Sequence, residues 1–219
     1  MSFTDYHHGL ALSNLFHKRG SRPVSAGQVL YTTEDPGDSV YFLRAGLVKT
    51  SVISEKGKEL LLSIHRPGVV FGELSFCTGH RREQAVAMEG SEVVEIHFAD
   101  LISELGRSPQ AMVDMLGTMC RRLCQAHDHL LTLSFDRTME RLVRKILELV
   151  EEFGDLTPEG TGIAHYIKQE ELAQMIAAPR EVVSSLLNEL RQLGLIAYSR
   201  KGRLTVRTEP LRTGTRYLL

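Results

Sequence analysis

Between Met112 and Leu133 an apolar residue returns at alternating steps of four and three: Met112, Leu116, Met119, Leu123, Ala126, Leu130 and Leu133. This seam constrains the fold more than any other feature of the chain. A 3.5-residue repeat held over three heptads keeps one narrow stripe of a helix facing a parallel partner. Residues 109–135, beginning at Pro109, therefore read as one long helix that pairs with a copy of itself, and the chain as a homodimer. A helix packed on its own domain carries a broader apolar stripe.

The residues before the seam have a different texture. Glycines or Gly-Pro pairs fall at 27, 36–37, 46, 57, 67–68, 72, 79 and 90, between short runs rich in Val, Ile, Leu, Tyr and Phe. Val40–Leu43, Leu47–Ile53, Glu59–Ile64 and Glu92–Ile96 have strand length, and Ser54–Lys58 turns a hairpin around Gly57. Many short antiparallel strands predict a roll or jelly roll, an architecture that manages its edges and can enclose a small ligand. The loop Phe71-Gly72-Glu73-Leu74-Ser75-Phe76 sets a carboxylate and backbone amides beside a glycine, a cradle for a hydroxylated, phosphate-bearing ligand or simply a glycine-led turn into a short helix.

After the seam the pattern is helical. A helix at about 136–153 ends at Gly154, a turn-rich stretch covers 155–160, and a short strand Ile163–Ile167 leads into two helices, Gln169–Ile176 and about Pro179–Leu193. Short helix, tight turn and longer helix are the helix-turn-helix. Leu172, Ile176, Val182, Leu186, Leu187 and Leu190 are expected to be buried, leaving Arg180, Glu181, Ser184, Ser185 and Asn188 to face a major groove. There an arginine can bond guanine O6 and N7, and a glutamate can accept from cytosine N4. Leu195–Tyr198 and Leu204–Val206 flank a basic tip containing Arg200, Lys201 and Arg203, a wing suited to phosphates, with Lys168, Gln169 and Pro179 beside the reading helix.

Charge agrees with this division. Residues 1–159 carry 17 Lys/Arg against 22 Asp/Glu, and residues 160–219 carry 9 against 5. An anionic partner is expected at the C-terminal end. No stretch approaches the roughly 20 apolar residues that span a bilayer, so the expectation is a cytoplasmic protein without a membrane partner. The three cysteines suit a reducing compartment better than a disulfide framework.

Cys120, Cys124 and His127 stand at i, i+4 and i+7 on one face of the long helix. Two thiols and an imidazole can bind a metal or haem or sense oxidants if Cys77, His80 or a second subunit completes the set. They can equally be packing residues. For an enzyme, the chain has no nucleophile elbow, lysine-bearing phosphate loop, zinc-protease pair or dinucleotide fingerprint. The scattered Glu73, Cys77 and His80 are a weak catalytic set, and no enzyme is expected.

Phe71-Gly72-Glu73-Leu74, the heptad helix, and Gln169-Glu170-Glu171-Leu172-Ala173 followed by Pro179-Arg180-Glu181-Val182-Val183 resemble the CRP/FNR family of transcription regulators over almost the whole length. The resemblance implies an α+β chain of a cyclic-nucleotide-binding-like β-roll (1–108), a dimerisation helix (109–135) and a winged helix-turn-helix (136–219). It implies a homodimer on double-stranded DNA, with RNA polymerase as a further partner. Effector contacts would come from Gly72, Glu73, Leu74, Arg81, Arg82, Gln84 and His127, and the effector would be a nucleotide-like small molecule, with haem, metal or redox sensing through Cys120, Cys124 and His127 as the alternative. Two departures matter. The family's second reading arginine is replaced by Ser185. Where its cyclic-AMP binders carry Arg-Ser and Thr-Ser pairs, this chain has Glu83-Gln84 and Ala126-His127, so cyclic AMP is not expected to bind in the usual way unless Arg81 or Arg82 takes the phosphate. Iron–sulfur sensing of the FNR type needs an N-terminal cysteine cluster, and the first 76 residues have no cysteine.

Overall fold

The computed structural model describes residues 10–157, 160–163, 165, 167–198 and 203–214. They fall into two compact units that divide between Ala126 and His127.

The first unit begins with α1 (Leu10–His17). Eight strands follow: β1 (Arg22–Val24), β2 (Val29–Tyr31), β3 (Ser39–Ala45), β4 (Val48–Ile53), β5 (Glu59–His65), β6 (Val70–Phe71), β7 (Gln84–Ala87) and β8 (Ser91–His97). They form two four-stranded antiparallel sheets, ordered β1-β8-β3-β6 and β2-β7-β4-β5. The four expected strand runs correspond to β3, β4, β5 and β8. The hairpin between β4 and β5 closes through Ser54 N to Lys58 O at 2.8 Å, with Gly57 at φ +74°.

Strand β3 is buried on both faces because it has a neighbour on each. By the two-residue period of a strand, Val40 and Phe42 point to one side, where α1, α2 (Phe98–Arg107) and the start of α3 (Pro109–Phe135) supply Leu12, Phe16, Leu101, Leu105 and Ala111. Tyr41 and Leu43 point to the other, into a core shared with Tyr31, Val48, Phe71 and Val93. Both ends of α1 are satisfied from afar. The Asp114 carboxylate accepts from the amides of Ala11 (3.0 Å) and Leu12 (3.2 Å), and Arg44 donates to the carbonyls of Phe16 (3.2 Å) and Arg19 (2.9 Å).

The second unit holds α4 (Thr138–Phe153), β9 (Gly154–Thr157), β10 (Gly160–Ile163), α5 (Gln169–Met175), α6 (Arg180–Gln192), β11 (Ile196–Tyr198), β12 (Leu204–Val206) and α7 (Thr208–Gly214). Its sheet is ordered β11-β12-β10-β9.

Four expectations are corrected here. The turn-rich stretch after α4 is the β9–β10 hairpin, and the strand expected at Ile163–Ile167 instead ends at Ile163. The glycines that suggested a loop serve close packing: a Cβ on Gly154 would stand 2.2 Å from Val150 O, and one on Gly160 would stand 2.5 Å from Val206 O. Pro179 precedes α6 as its cap, extended at ψ 141°, instead of occupying the first turn. In α6 the buried valine is Val183, whereas Val182 is 40% exposed. The steps of four and three that join Val183 to Leu187 and Leu190 define the inner face, and Val182 falls a residue off it.

Candidate nucleic-acid interface and effector site

Helices α5 and α6 meet over a core of Leu172, Ala173, Met175, Ile176, Val183, Leu187 and Leu190. The Glu171 carboxylate accepts from the Lys168 amide at 2.8 Å and so fixes the start of α5. The turn between the helices runs through Ala177 in the left-handed region, at φ 51°. Arg141 of α4 donates to Ile176 O at 3.1 Å and holds the turn from below. Helix α6 stops at Gly194 (φ +68°), where the amides of Gly194 and Leu195 return to Arg191 O and Leu190 O, both at 3.0 Å.

This framework leaves Pro179, Arg180, Glu181, Ser185 and Asn188 exposed, Ser184 half-buried, and Lys168 exposed beside a half-buried Gln169. Glu181, Ser185 and Asn188 lie on the side of α6 opposite Val183, Leu187 and Leu190, and Arg180 is its exposed first residue. A donor, an acceptor and two hydroxyls in the first two turns of one helix carry the chemistry that reads base edges. In the wing, Ile196 pairs with Val206, Ala197 with Thr205 and Tyr198 with Leu204. Arg203 is exposed, and Arg200 and Lys201 lie outside the described residues.

In the roll, Gly72 at φ +83° turns the chain from β6 into a 3-10 helix over Glu73–Cys77. Glu73 and Ser75 are buried, while Leu74 and Phe76 are exposed. This segment caps an aromatic interior. Tyr31, Tyr41 and Phe71 stack with centroids 5.4 Å (Tyr31–Tyr41) and 5.5 Å (Tyr41–Phe71) apart, and His65 stacks on Phe71 at 5.1 Å.

Arg81 is turned inward and buried. Its guanidinium lies 4.2 Å from the Tyr31 ring centre and donates to Pro36 O (3.1 Å), Gly72 O (2.9 Å), Ser75 Oγ (3.3 Å) and Ser39 Oγ (3.3 Å). Its neighbour Arg82 is exposed. Gln84 is half-buried and gives its amide to Ser51 Oγ at 3.0 Å.

Several polar groups at this site carry no family-independent signature in the sequence. Glu83 is buried and accepts from Tyr31 Oη at 3.2 Å. Burial raises its pKa above the usual carboxylate range, opposed by the hydrogen bond from Tyr31. Burial also raises the Tyr31 phenol, with the Glu83 charge adding to it. His65 shares a hydrogen bond with Thr50 Oγ1 at 3.2 Å, and burial pushes its pKa down to about 3, keeping it neutral. Arg122, from α3, donates to Glu73 Oε1 and to Val70 O, and burial lowers its pKa to about 10. Arginine on a helix surface is commonplace, so only the packing of α3 beside the cap singles out Arg122.

Along α3, Met112, Leu116, Leu123, Ala126, Leu130 and Leu133 are exposed and Met119 is half-buried. Leu116, Leu123 and Leu130 keep about 60% of their surface (58, 58 and 60%). Cys120, Cys124 and His127 are exposed beside that row. Among the described residues, no three His, Cys, Asp or Glu side chains are gathered as a metal ion would need. No helix among them is long and apolar enough to cross a membrane.

Residues 21–108 match the cyclic nucleotide-binding domain family, and residues 140–210 match the Crp-like helix-turn-helix domain family. The chain is 30% identical to a CRP-like cAMP-activated global transcriptional regulator from Mycobacterium tuberculosis, covering 84% of this chain and 83% of that one. It is 32% identical to a global nitrogen regulator from Synechococcus elongatus over 82% of each. A CooA mutant from Carboxydothermus hydrogenoformans has the same fold, with a TM-score of 0.80 at 20% identity over 96% of each chain. With the roll, the long helix and the helix-turn-helix in this order, and a relative at this identity along most of its length, the chain belongs to the CRP/FNR family of effector-responsive, DNA-binding transcription regulators.

Proposed function

We propose that the chain acts in the cytoplasm as a homodimer that reads a two-fold symmetric DNA site, under the control of an effector other than cyclic AMP bound in the family's usual mode. The observation that carries this reading is the reversed charge inside the roll: Glu83, buried, stands where the family's cyclic-AMP binders place an arginine for the phosphate. Arg81 offers no easy substitute, because carbonyl and hydroxyl oxygens already take its donors. A phosphate brought to Glu83 would meet a like charge in a medium of low dielectric constant.

The roll (1–108), the dimerisation helix (109–135) and the DNA-binding domain (136–219) divide the work. The exposed row of Leu116, Leu123 and Leu130 supports pairing of two α3 helices, since a leucine row of this length gains most by facing its own copy. Two α6 helices would then enter successive major grooves, with half-sites one helical turn apart, about 34–36 Å. Arg180 and Glu181 read base edges, Ser184 and Ser185 add base or phosphate contacts, and Lys168, Arg200, Lys201 and Arg203 hold the backbone. With Ser185 in place of the family's second arginine, the half-site is relaxed at that base. An effector that favours one arrangement of the α3 pair shifts the population of DNA-competent dimers, and RNA polymerase is the partner that turns binding into transcription.

The test is selection of duplexes from a randomised pool by the purified protein, with and without cyclic AMP. Enrichment of a symmetric site that is indifferent to cyclic AMP is expected. Enrichment only in its presence would overturn the argument from Glu83, and no enrichment in either condition would count against DNA reading by the free protein.

A further inference from the structure

Cys120 and Cys124 of α3 are explained neither by the core nor by the expected seam. Both thiols are free and exposed, although cysteine is among the residues most often buried. Along the seam Met112, Met119, Ala126 and Leu133 alternate with Leu116, Leu123 and Leu130, so Cys120 follows one row by a single residue and Cys124 follows the other. In heptad terms they stand at e and b, the first at the margin of the seam and the second outside it, where a second α3 leaves it uncovered. Gly117 precedes Cys120 by about one turn. Side chains of a helix lean towards its N-terminus, so the Cys120 thiol leans over a position that has no side chain to cover it. A Cβ on Gly117 would meet Arg121 Nη1 at 3.5 Å, an ordinary contact, so crowding does not demand the glycine.

Residues four apart on a helix have Cβ atoms about 5–6 Å apart. A disulfide needs about 3.5–4.5 Å, so these two thiols do not join each other unless α3 unwinds. A metal ion spans the gap: a metal–thiolate bond is about 2.3 Å, and two in line hold the sulfurs about 4.6 Å apart. We propose that Cys120 and Cys124 form a two-coordinate site for a soft monovalent metal ion of the Cu(I) class. Thiolates select such an ion, and two of them complete its shell. Structural zinc takes four ligands, and among the described residues no three His, Cys, Asp or Glu side chains are gathered for it. Binding exchanges protons and leaves the oxidation states unchanged: two S–H bonds break, two Cu–S bonds form and both protons go to solvent. The complex carries one net negative charge, and the Arg121 guanidinium beside Gly117 sets positive charge on the same stretch of surface. This site is separate from the roll and does not depend on the reading of its effector.

The experiment is anaerobic titration of the intact, reduced protein with Cu(I) in competition with bicinchoninate, whose Cu(I) complex is coloured. Cys77, the remaining free and exposed cysteine, supplies the control. One Cu(I) per chain withheld from the chelator is expected, with no change in Cys77→Ser. Cys120→Ser and Cys124→Ser should each weaken retention about a hundredfold or more, since losing even a group that merely supports a metal ligand costs about 10–100-fold. Melting curves without metal report whether the variants remain folded. X-ray absorption of the copper-loaded parent, expected to show two sulfur neighbours, keeps the test independent of any variant. The proposal is overturned if the chelator strips copper from the parent, if Cys77→Ser weakens retention as much as the helix variants do, or if either folded helix variant holds copper as the parent does. Displacement of Cu(I) by an equal amount of Zn(II), or a copper shell of more than two ligands, overturns it as well.

Discussion

Replacing Gly72 by alanine tests how rigidly the cap of the roll is held. The residue sits at φ +83°, and an alanine there costs about 1–2 kcal/mol in backbone strain. Its Cβ would also stand 2.9 Å from Arg81 Nη1 and 3.4 Å from the Tyr31 ring. An arginine tip can usually move aside, but this one is pinned by Nε to Pro36 O and by Nη2 to Ser39 Oγ. Making room means losing the bond from Nη1 to Gly72 O at 2.9 Å, a buried contact from a charged donor worth about 1.5–3 kcal/mol. The expected total is about 2.5–5 kcal/mol. Gly57→Ala supplies the internal control, because Gly57 has φ +74° with nothing within 4 Å of an added Cβ, so it bears the strain alone, about 1–2 kcal/mol. Both variants are compared by urea unfolding, with hydrogen exchange of peptides across residues 70–87 isolating the cap. If Gly72→Ala costs no more than Gly57→Ala, Arg81 is not the fixed pillar described above.

Other perturbations probe the remaining parts. Arg180→Ala should cost about 1–3 kcal/mol of DNA affinity and relax specificity at one base pair of each half-site, read by titration of the selected duplex and its point variants. Leu123→Glu sets like charges across the expected seam and should shift the protein to monomer in sedimentation or light scattering; an unchanged dimer would place the interface elsewhere. Ala177→Gly relieves a left-handed alanine in the helix-turn-helix, and its exposed methyl has little packing to lose, so a gain of about 0.5–1 kcal/mol in urea unfolding is expected. His65 stays neutral in the fold down to about pH 3, whereas the unfolded chain takes up a proton near pH 6.5. Its contribution is therefore neutral above pH 6.5 and becomes destabilising as pH falls from there towards 3, so His65→Leu should unfold less steeply over that window than the parent.

Periodicity makes three parts legible in the sequence. The glycine-spaced apolar runs became β3, β4, β5 and β8, the helix-turn-helix pattern became α5 and α6, and residues 109–135 became a single helix. The short strands of the roll, β1, β2, β6 and β7, were missed because two to four residues carry no measurable period, whereas the equally short β11 and β12 are marked by the basic turn between them. The β9–β10 hairpin was missed because Gly154 and Gly160 are there for close approach to neighbouring backbone, a demand that looks identical to a turn in one dimension. Val182 and Val183 were exchanged for a related reason: neighbours in sequence differ by 100° on a helix, and the position of α5 decides which one is covered.

The amino-acid sequence by itself determined the order of roll, long helix and helix-turn-helix, because those follow from local period, and it determined the reversal of charge at Glu83. Only the tertiary structure decided what surrounds that carboxylate. Residues far apart in the chain, Tyr31, Glu73, Glu83 and Arg122, share one buried interior. Arg81, two residues from Glu83, turns its donors to backbone and hydroxyl oxygens. Asp114 and Arg44 likewise close the two ends of an α1 that lies 102 and 28 residues away in sequence. The physical reason is the same in each case. A hydrogen bond or a desolvated charge depends on distance and burial in space, and those quantities leave no period in the chain.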